Sequence, residues 1–521
     1  MKFQLFPKNK STKKKTAILQ VIAFLFLFLL ILLSIACVWA LREYSNISLE
    51  EILFYLSMPL QGTARGFTRD LVLHVFLPTA VICFVIFLLA VFPIKKVLAL
   101  VTRKHKIQIL PLRIPVYVFP ILIVWMVLLY TKGNGLLDIS GFIGSRIHQS
   151  TLIEERYADP SKVALTFPQK KRNLITIYIE SGESTMQDRE HGGVSEENWI
   201  PEMTLLEEKN ISFSQNDLYA GAAVAPACGW TIAGMVAQTA GIPLKFYKYD
   251  NHGLSADNMG NDLVRFLPGA TMLGDILEDE GYHTVFLCGS DFDFGGRTKM
   301  YAQHGHYDIE DYYHMLSVGK LPEDYYYGWG FEDKKLYAFA KERLLELEEE
   351  DQPFHLGLLT VDTHFPGYTC EICENWEGND TYKSIRCSSL QLYDFIEWCK
   401  AQDFFEDTTI VVTGDHVSMD KALYDVAGEY NRHLGSSSRF VYNCFINAQV
   451  EPVKVKNRKF TTLDFFPSVL AAMGVTIDGD QLGLGVNLFS DKETLSEELG
   501  YDVFFDELNR KSLYYDSKLL R

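Results

Sequence analysis

The segment Asn173–Ser184 reads NLITIYIESGES and joins an apolar run to an acidic end. The run is rich in β-branched residues and lacks the polar alternation of a half-exposed strand, which is typical of a strand buried on both faces. A carboxylate directly after such a strand, here Glu180, lies at the carboxyl edge where α/β sheets bind ligands. A solvated acidic loop would give the same local pattern, so other segments must decide between the two.

Further apolar, β-rich runs follow this segment, and helical patterns separate them. This alternation predicts an α/β fold in which a mostly parallel sheet lies between layers of helices. The predicted strands are Leu174–Ile179, Thr284–Cys288, His355–Val361, Thr408–Thr413 and Phe440–Ile446, and the predicted helices are Thr271–Glu280, Glu332–Glu350, Ser388–Ala401 and Thr461–Met473.

Charge divides the chain into a basic N-terminal part and an acidic remainder. Of the 49 Lys and Arg and the 66 Asp and Glu, 15 and 4 lie before residue 132, which leaves 34 and 62 for the rest. An acidic domain is a poor partner for nucleic acid, because that affinity depends on neutralising phosphates. If the domain handles phosphate, a metal ion or a local basic residue must supply the positive charge.

The N-terminal part has the pattern of an α-helical membrane domain. Ala17–Leu41 and Asp70–Phe92 are apolar and long enough to span a bilayer, and Ile114–Tyr130 is a shorter third candidate. Lys and Arg precede the first span and lie between the second and third, which places both stretches in the cytoplasm. The predicted organisation is a membrane domain at 1–131, a polar connector at 132–172 and an extracytoplasmic domain at 173–521.

Two later segments place chemically useful side chains at the ends of predicted elements. Ile232–Ala240 predicts a helix of small residues with Thr231 at its N-terminus, where free N–H groups and the helix dipole favour a negative oxygen. An ordinary N-cap threonine would look the same. A predicted strand also runs into Asp415 and His416. Together with Glu180, these side chains predict a divalent-metal site if they share one edge of the sheet.

Six short motifs carry a family resemblance: Glu180–Ser184 (ESGES), Trp230–Ala237 (WTIAGMVA), Gly241–Leu244 (GIPL), Leu359–His364 (LTVDTH), Gly414–Met419 (GDHVSM) and Gly483–Asn487 (GLGVN). Their order resembles the lipoteichoic acid synthase and phosphoglycerol transferase branch of the sulfatase/alkaline phosphatase superfamily. Within that branch, the chain looks most similar to the periplasmic phosphoglycerol transferases that act on membrane-derived glucans. The resemblance extends from about Asn173 to Ser490.

The resemblance implies a membrane-anchored enzyme of the bacterial inner membrane whose catalytic domain, residues 173–521, faces outward. Phosphatidylglycerol would be the donor, and a saccharide or glycerol phosphate would be the acceptor. Thr231 would attack the phosphodiester, carry the glycerophosphoryl group after diacylglycerol leaves, and then lose it to the acceptor hydroxyl. The implied ligands of one divalent ion, manganese with magnesium or zinc as alternatives, are Glu180, Thr231, Asp415 and His416.

Two further residues take supporting roles in this comparison. His364 would hold the phosphate or shuttle a proton, although a histidine beside a turn would look the same. Arg297 would bind phosphoryl oxygens through its fork of N–H donors. Lipoteichoic acid synthases carry a His and a Trp shortly before this Arg, whereas this chain has Cys288 and Gly295. That departure favours a different acceptor, nearer to that of the glucan-modifying enzymes.

Several alternative functions remain open at this stage. A lipoteichoic acid synthase-type polymerase and a phosphoethanolamine transferase would use the same scaffold with another acceptor or head group. A sulfate-ester hydrolase is disfavoured, because the chain lacks a Cys or Ser followed by x-Pro-x-Arg. A catalytically inactive membrane receptor of the same fold would not need an intact set of metal-type ligands.

A group of cysteines follows His364 in the sequence. Disulfides persist outside the cytoplasm, and Cys370 or Cys373 paired with Cys387 would fasten the loop after that histidine. The glucan-modifying relatives carry a comparable pair. A Cys-x-x-Cys zinc knuckle is the alternative, although no second close pair follows.

Overall fold

The structure is a computed structural model that describes residues 10–43, 49, 51–52, 69–91, 100–102, 105–107, 125, 131, 144–245, 265–420 and 439–520. The chain divides into two compact units. One unit contains residues 1–44 and 65–139, and the other contains residues 45–64 and 140–521.

The described residues of the smaller unit include the helices α1 (Lys10–Glu43) and α2 (Leu77–Val91), the second preceded by a π-helical turn. A short antiparallel pairing joins Leu100–Thr102 to His105–Ile107. None of the helices in the described part of the chain is long and apolar enough to cross a membrane. The third predicted span, 114–130, lies outside the described residues except for position 125.

The larger unit is built around a six-stranded sheet in the order β6-β5-β1-β4-β2-β3. Neighbouring strands are parallel except for β6, which runs antiparallel to β5 at one edge. The strands are β1 (Asn173–Ile179), β2 (His283–Cys288), β3 (Asp308–Glu310), β4 (Phe354–Leu359), β5 (Thr408–Gly414) and β6 (Asn443–Ile446).

Strand β1 lies inside the sheet and is buried on both faces, as its apolar sequence predicts. Ile175 and Ile177 pack into one core, whereas Leu174 and Tyr178 pack into cores on the opposite face. The predicted α/β architecture, with a mostly parallel sheet covered on both faces, is therefore confirmed.

Helices cover both faces of this sheet. The helices in the part of this unit that the structure describes are α3 (Leu152–Arg156), α4 (Pro201–Lys209), α5 (Thr231–Ala240), α6 (Leu273–Asp279), α7 (Arg297–Gln303), α8 (Tyr312–Ser317), α9 (Asp333–Glu348), α10 (Asp380–Lys400), α11 (Phe465–Ala472), α12 (Leu495–Leu499) and α13 (Tyr501–Asn509). The face that contains Ile175 and Ile177 contacts α4, α9 and α10. The opposite face contacts α5, α6 and α11.

The predicted start of one helix is wrong. The pattern places the N-terminus of α10 at Ser388, but the helix begins eight residues earlier, at Asp380. Its N-cap is Asn379, whose side chain accepts a hydrogen bond from the N–H of Tyr382 at 2.8 Å. None of the four residues of the first turn is fully buried, so apolar periodicity does not mark it.

Candidate functional site

The loop after β1 brings Glu180 to the carboxyl edge of the sheet, where its side chain is buried. The N–H of Glu180 donates to Thr360 Oγ1 at 2.9 Å, which ties this loop to the end of β4. The next N–H, that of Ser181, donates to Asp415 Oδ1 at 2.8 Å. The loops after β1, β4 and β5 are therefore joined directly to one another.

A glycine allows the loops after β1 and β5 to approach so closely. A Cβ added at Gly414 would lie 1.9 Å from the carbonyl oxygen of Gly182, so no larger residue fits at position 414 without backbone movement. The following residue, Asp415, is fully buried, and its N–H donates to Ile179 O at 3.2 Å. This contact fixes Asp415 against the end of β1.

His416 is buried beside these carboxylates, and hydrogen bonding selects its tautomer. Its Nδ1 lies 2.8 Å from Val417 O and therefore carries the proton that it donates to that carbonyl. Its Nε2 is then the nitrogen that is unprotonated in the neutral, metal-binding form of the ring. That atom lies 3.5 Å from Glu180 Oε1 and 3.4 Å from Asp415 Oδ2.

Helix α5 places Thr231 at the same point. Thr231 is the first helical residue, and the N-cap position belongs to Trp230, so the hydroxyl of Thr231 is not the cap. Thr231 Oγ1 lies 3.4 Å from His416 Nε2. The helix packs directly on the Asp415 backbone, because a Cβ added at Gly234 would lie 2.0 Å from Asp415 O.

These four side chains fit a divalent cation. One ligand atom each from Glu180, Asp415 and His416 lies within 4.8 Å of the others. Their separations are longer than hydrogen bonds of about 2.9 Å, and Asp415 Oδ2 is buried without a hydrogen-bond partner among the described residues. An orphaned carboxylate oxygen and an imidazole nitrogen that are directed at one point fit a metal ligand set, and the nitrogen would give up its proton when the metal binds.

The charges of this cluster also match a bound cation. Burial and the nearby Glu180 carboxylate raise the pKa of Asp415 to about 7. Burial lowers the pKa of His416, but the carboxylates of Asp415 and Glu180 outweigh it and raise that pKa to about 9. Two buried carboxylates therefore repel each other at this point, and a divalent cation would neutralise them.

His364 lies on the loop after β4, close enough for the charges of His416 and Asp415 to shift its pKa. Burial lowers this pKa to about 4. The Nδ1 atom lies 2.9 Å from Phe365 O, and Trp329 packs against the ring at a centroid distance of 4.4 Å. At neutral pH, His364 is therefore an uncharged imidazole held in a fixed orientation.

Arg297 is buried and is held by its own loop. Its guanidinium donates to Phe294 O at 3.0 Å, to Ser290 Oγ at 3.0 Å and to Asp291 O at 2.7 Å. The loop lies against the start of α5, because a Cβ added at Gly295 would lie 3.9 Å from Ile232. These bonds occupy several of its donors, so phosphoryl binding by Arg297 stays a prediction.

The sulfatase family profile matches residues 175–475, which is more than half of the chain. The chain belongs to the sulfatase family. Its sheet and all four side chains of the candidate metal centre lie within the matched region, apart from the first residues of β1.

Curated relatives of this sulfatase-family chain carry the name phosphoglycerol transferase I. The protein from Escherichia coli (strain K12) is 31% identical over 373 residues, which cover 70% of this chain and 44% of that one. The protein from Shigella flexneri is 30% identical over the same shares. The chain thus spans less than half the length of these relatives.

Several solved structures of bacterial proteins show partial similarity to this chain. An alkaline phosphatase superfamily protein from Vibrio parahaemolyticus has a TM-score of 0.48 at 18% identity and covers 70% of this chain and 81% of its own. The lipoteichoic acid synthase LtaP from Listeria monocytogenes has a TM-score of 0.47 at 17% identity and covers 66% of this chain and 82% of its own.

A buried ion pair that the sequence analysis did not single out holds the site loops together. Glu183, three residues after Glu180, is fully buried and forms an ion pair with Arg439. The same carboxylate accepts the N–H of Ser418, and Arg439 donates to Ser418 O at 2.6 Å. The pair therefore fastens the loop that follows His416. No local pattern marks it, because the two partners lie 256 residues apart.

We expect Glu183→Gln to destabilise the fold by about 3 kcal/mol, because a buried Arg439 would lose its counter-charge. Urea unfolding measures this change. The matched control is Glu498→Gln, which breaks the partly exposed pair with Arg156 and should cost less than about 1 kcal/mol. Equal losses from the two substitutions would contradict a special role for the buried pair.

A second buried pair, Asp333 and Asp362, supports the loop that carries His364. Val361 N donates to Asp333 Oδ1 at 2.7 Å, and Asp333 N donates to Asp362 Oδ2 at 3.0 Å. Burial raises the pKa of Asp333 to about 7, and burial together with the Asp333 carboxylate raises the pKa of Asp362. These carboxyls keep protons that the unfolded chain has lost.

The raised pKa values predict a pH dependence of stability. Because the native state binds the extra protons, stability should fall as pH rises from about 4 through the Asp333 pKa of about 7. Asp362→Asn removes one of the two charges. Between pH 5.5 and pH 8, the free energy of unfolding of this variant should therefore fall by about 1 kcal/mol less than that of the wild type. Urea unfolding at both pH values measures this difference. An equal fall in the free energy of unfolding of the wild type and of Asp362→Asn would contradict the assignment of this pH dependence to the Asp333–Asp362 pair.

Proposed function

We propose that this protein is a metal-dependent transferase that moves phosphoglycerol from phosphatidylglycerol to a glycan acceptor outside the cytoplasm, through a phosphothreonine intermediate. The observation that supports this most strongly is the convergence of Thr231, Glu180, Asp415 and His416 from three distant segments. The similarity to proteins named phosphoglycerol transferase I supports the donor head group.

The residues of the site suit a two-step transfer. Thr231 Oγ attacks the phosphorus of the donor and forms a new P–O bond, while the bond to the diacylglycerol oxygen breaks. A divalent ion held by Glu180, Thr231, Asp415 and His416 would lower the pKa of the attacking hydroxyl and offset charge on the phosphoryl oxygens. An acceptor hydroxyl then attacks the same phosphorus and frees Thr231.

Proton movement falls to His364 in this scheme. His364 is neutral at pH 7, and in this scheme it would hold the phosphate or pass a proton from the attacking hydroxyl to the leaving oxygen. Arg297, whose loop packs beside the start of α5, would bind phosphoryl oxygens. Manganese is the proposed ion, and magnesium and zinc are the alternatives.

We place the protein in the cell membrane of a bacterium, with residues 1–131 as the membrane domain. The positively charged stretches around the apolar segments support this orientation. An outward-facing site would meet phosphatidylglycerol at the bilayer surface and a saccharide in the cell envelope. No nucleic acid partner fits the acidic outer domain.

The test follows glycerol label from donor to acceptor. Cells or membrane vesicles that contain the full chain should move label from phosphatidylglycerol into a water-soluble saccharide. Label that appears only in a lipid-anchored polymer would favour a lipoteichoic acid synthase-type polymerase. Transfer of an ethanolamine label from phosphatidylethanolamine instead would favour phosphoethanolamine transfer, and no transfer of either label would favour an inactive receptor.

A further inference from the structure

Three buried thiols meet where the loop that follows His364 packs against α10. Cys370 and Cys373 lie on this loop, and Cys387 lies on α10. One sulfur atom from each lies within 4.8 Å of the other two, and the sulfurs of Cys370 and Cys387 are 3.7 Å apart. The exposed fractions of these residues are 5%, 0% and 2%.

We propose that Cys370, Cys373 and Cys387 form a second metal site, which takes a thiophilic divalent cation of the Zn²⁺ class. The site is separate from the oxygen- and nitrogen-lined centre at Glu180. It does not depend on the proposed transferase activity.

One side-chain donor faces two of the sulfurs, as it would face metal-bound thiolates. Cys370 and Cys373 are joined by a turn in which the Cys373 N–H donates to Cys370 O at 3.0 Å. The Gln391 amide donates to Cys387 Sγ at 3.1 Å and to Cys370 Sγ at 3.9 Å. Donors of this kind stabilise the charge on metal-bound sulfur and orient it, whereas an uncharged disulfide does not need them.

The distances suit tetrahedral coordination. Zinc–sulfur bonds of about 2.3 Å at tetrahedral angles separate the sulfurs by about 3.8 Å. The observed separation of 3.7 Å between Cys370 and Cys387 agrees with this spacing. Three soft ligands select zinc-like ions over magnesium or manganese. Solvent or an added ligand would take the fourth position.

The number of thiols also favours a metal over a disulfide. A disulfide would use two of the three sulfurs and leave one buried thiol beside it, whereas one cation engages all three. On binding, each thiol gives up its proton, so one divalent ion replaces three protons and no oxidant is needed. The ion would then join the loop after His364 to α10.

Cobalt distinguishes this site from the first one. The full chain is reduced, freed of metal and titrated with Co²⁺ without oxygen. We expect a sulfur-to-cobalt charge-transfer band whose final intensity corresponds to one thiolate-bound cobalt ion per chain, since the centre at Glu180 offers no sulfur. The band should persist in Asp415→Ala and disappear in Cys373→Ser. Competition with a chromophoric chelator should show at least tenfold weaker Zn²⁺ binding in Cys373→Ser.

The matched control is Cys399→Ser, which removes another buried thiol from α10 outside the cluster. It should leave the band and the Zn²⁺ affinity unchanged. Circular dichroism confirms that each variant is folded. A folded wild-type chain without the band would overturn the proposal. It would also be overturned if chain isolated without reductant contained mainly a peptide disulfide that joins Cys387 to Cys370 or Cys373.

Discussion

Thr231→Ala is expected to lower phosphoglycerol transfer by at least about 10³-fold, because the variant lacks the oxygen that attacks phosphorus. The hydroxyl lies 3.4 Å from His416 Nε2, at the point where the carboxylates of Glu180 and Asp415 converge. The loss should appear in kcat, since the donor pocket stays intact. The measurement is the rate at which label leaves phosphatidylglycerol.

Two matched variants separate chemistry from folding. Thr231→Ser keeps a hydroxyl at the same position and should retain measurable transfer. Thr239→Ala lies on the same helix, where its hydroxyl donates to Met235 O at 2.7 Å, and should leave the transfer rate near that of the wild type. In wild type, brief incubation with labelled donor should leave label on the tryptic peptide that contains Thr231. Transfer by Thr231→Ala at a tenth of the wild-type rate would contradict a threonine nucleophile.

Five of the six strands of the sheet could be predicted because their apolar runs are continuous and buried, whereas β3, which is three residues long and partly exposed, was not predicted. The run predicted at Leu174–Ile179 is the strand Asn173–Ile179, and the run predicted at Thr408–Thr413 is Thr408–Gly414. Since parallel strands end at one edge, the residues that follow them could be expected to meet. The proximity of Glu180 and Asp415 could therefore be predicted from the strand pattern alone, without any information on their contacts.

The contacts that hold these residues in place could not be predicted in the same way. Gly234 against the Asp415 backbone, and Glu183 paired with Arg439, depend on how distant segments approach in three dimensions. Periodicity and local propensity carry no information about such approaches. The sequence analysis did expect Cys387 to meet Cys370 or Cys373, but it did not predict that all three sulfurs meet.

Removal of divalent metal is expected to abolish transfer and to lower the melting temperature, and manganese should restore both. The stability change follows from linkage: an ion at about 100 times its Kd stabilises the native state by about 2.7 kcal/mol. In addition, Asp415 and Glu180 would face each other without a counter-ion once the metal leaves. Thermal unfolding of the full chain with and without manganese measures this effect independently of activity.

Variants show whether manganese raises the melting temperature by binding at the site of Glu180, Asp415 and His416. Glu180→Gln keeps the size of the side chain but removes one charge, so the manganese-induced rise in melting temperature should shrink and transfer should fall by at least about tenfold. The control is His306→Gln, which removes an exposed imidazole beside Glu278 and should leave the rise unchanged. Because the cysteine cluster prefers soft ions, manganese should not act through it. A manganese effect of equal size in wild type and Glu180→Gln would place the metal elsewhere, and Thr231 would then need another source of activation.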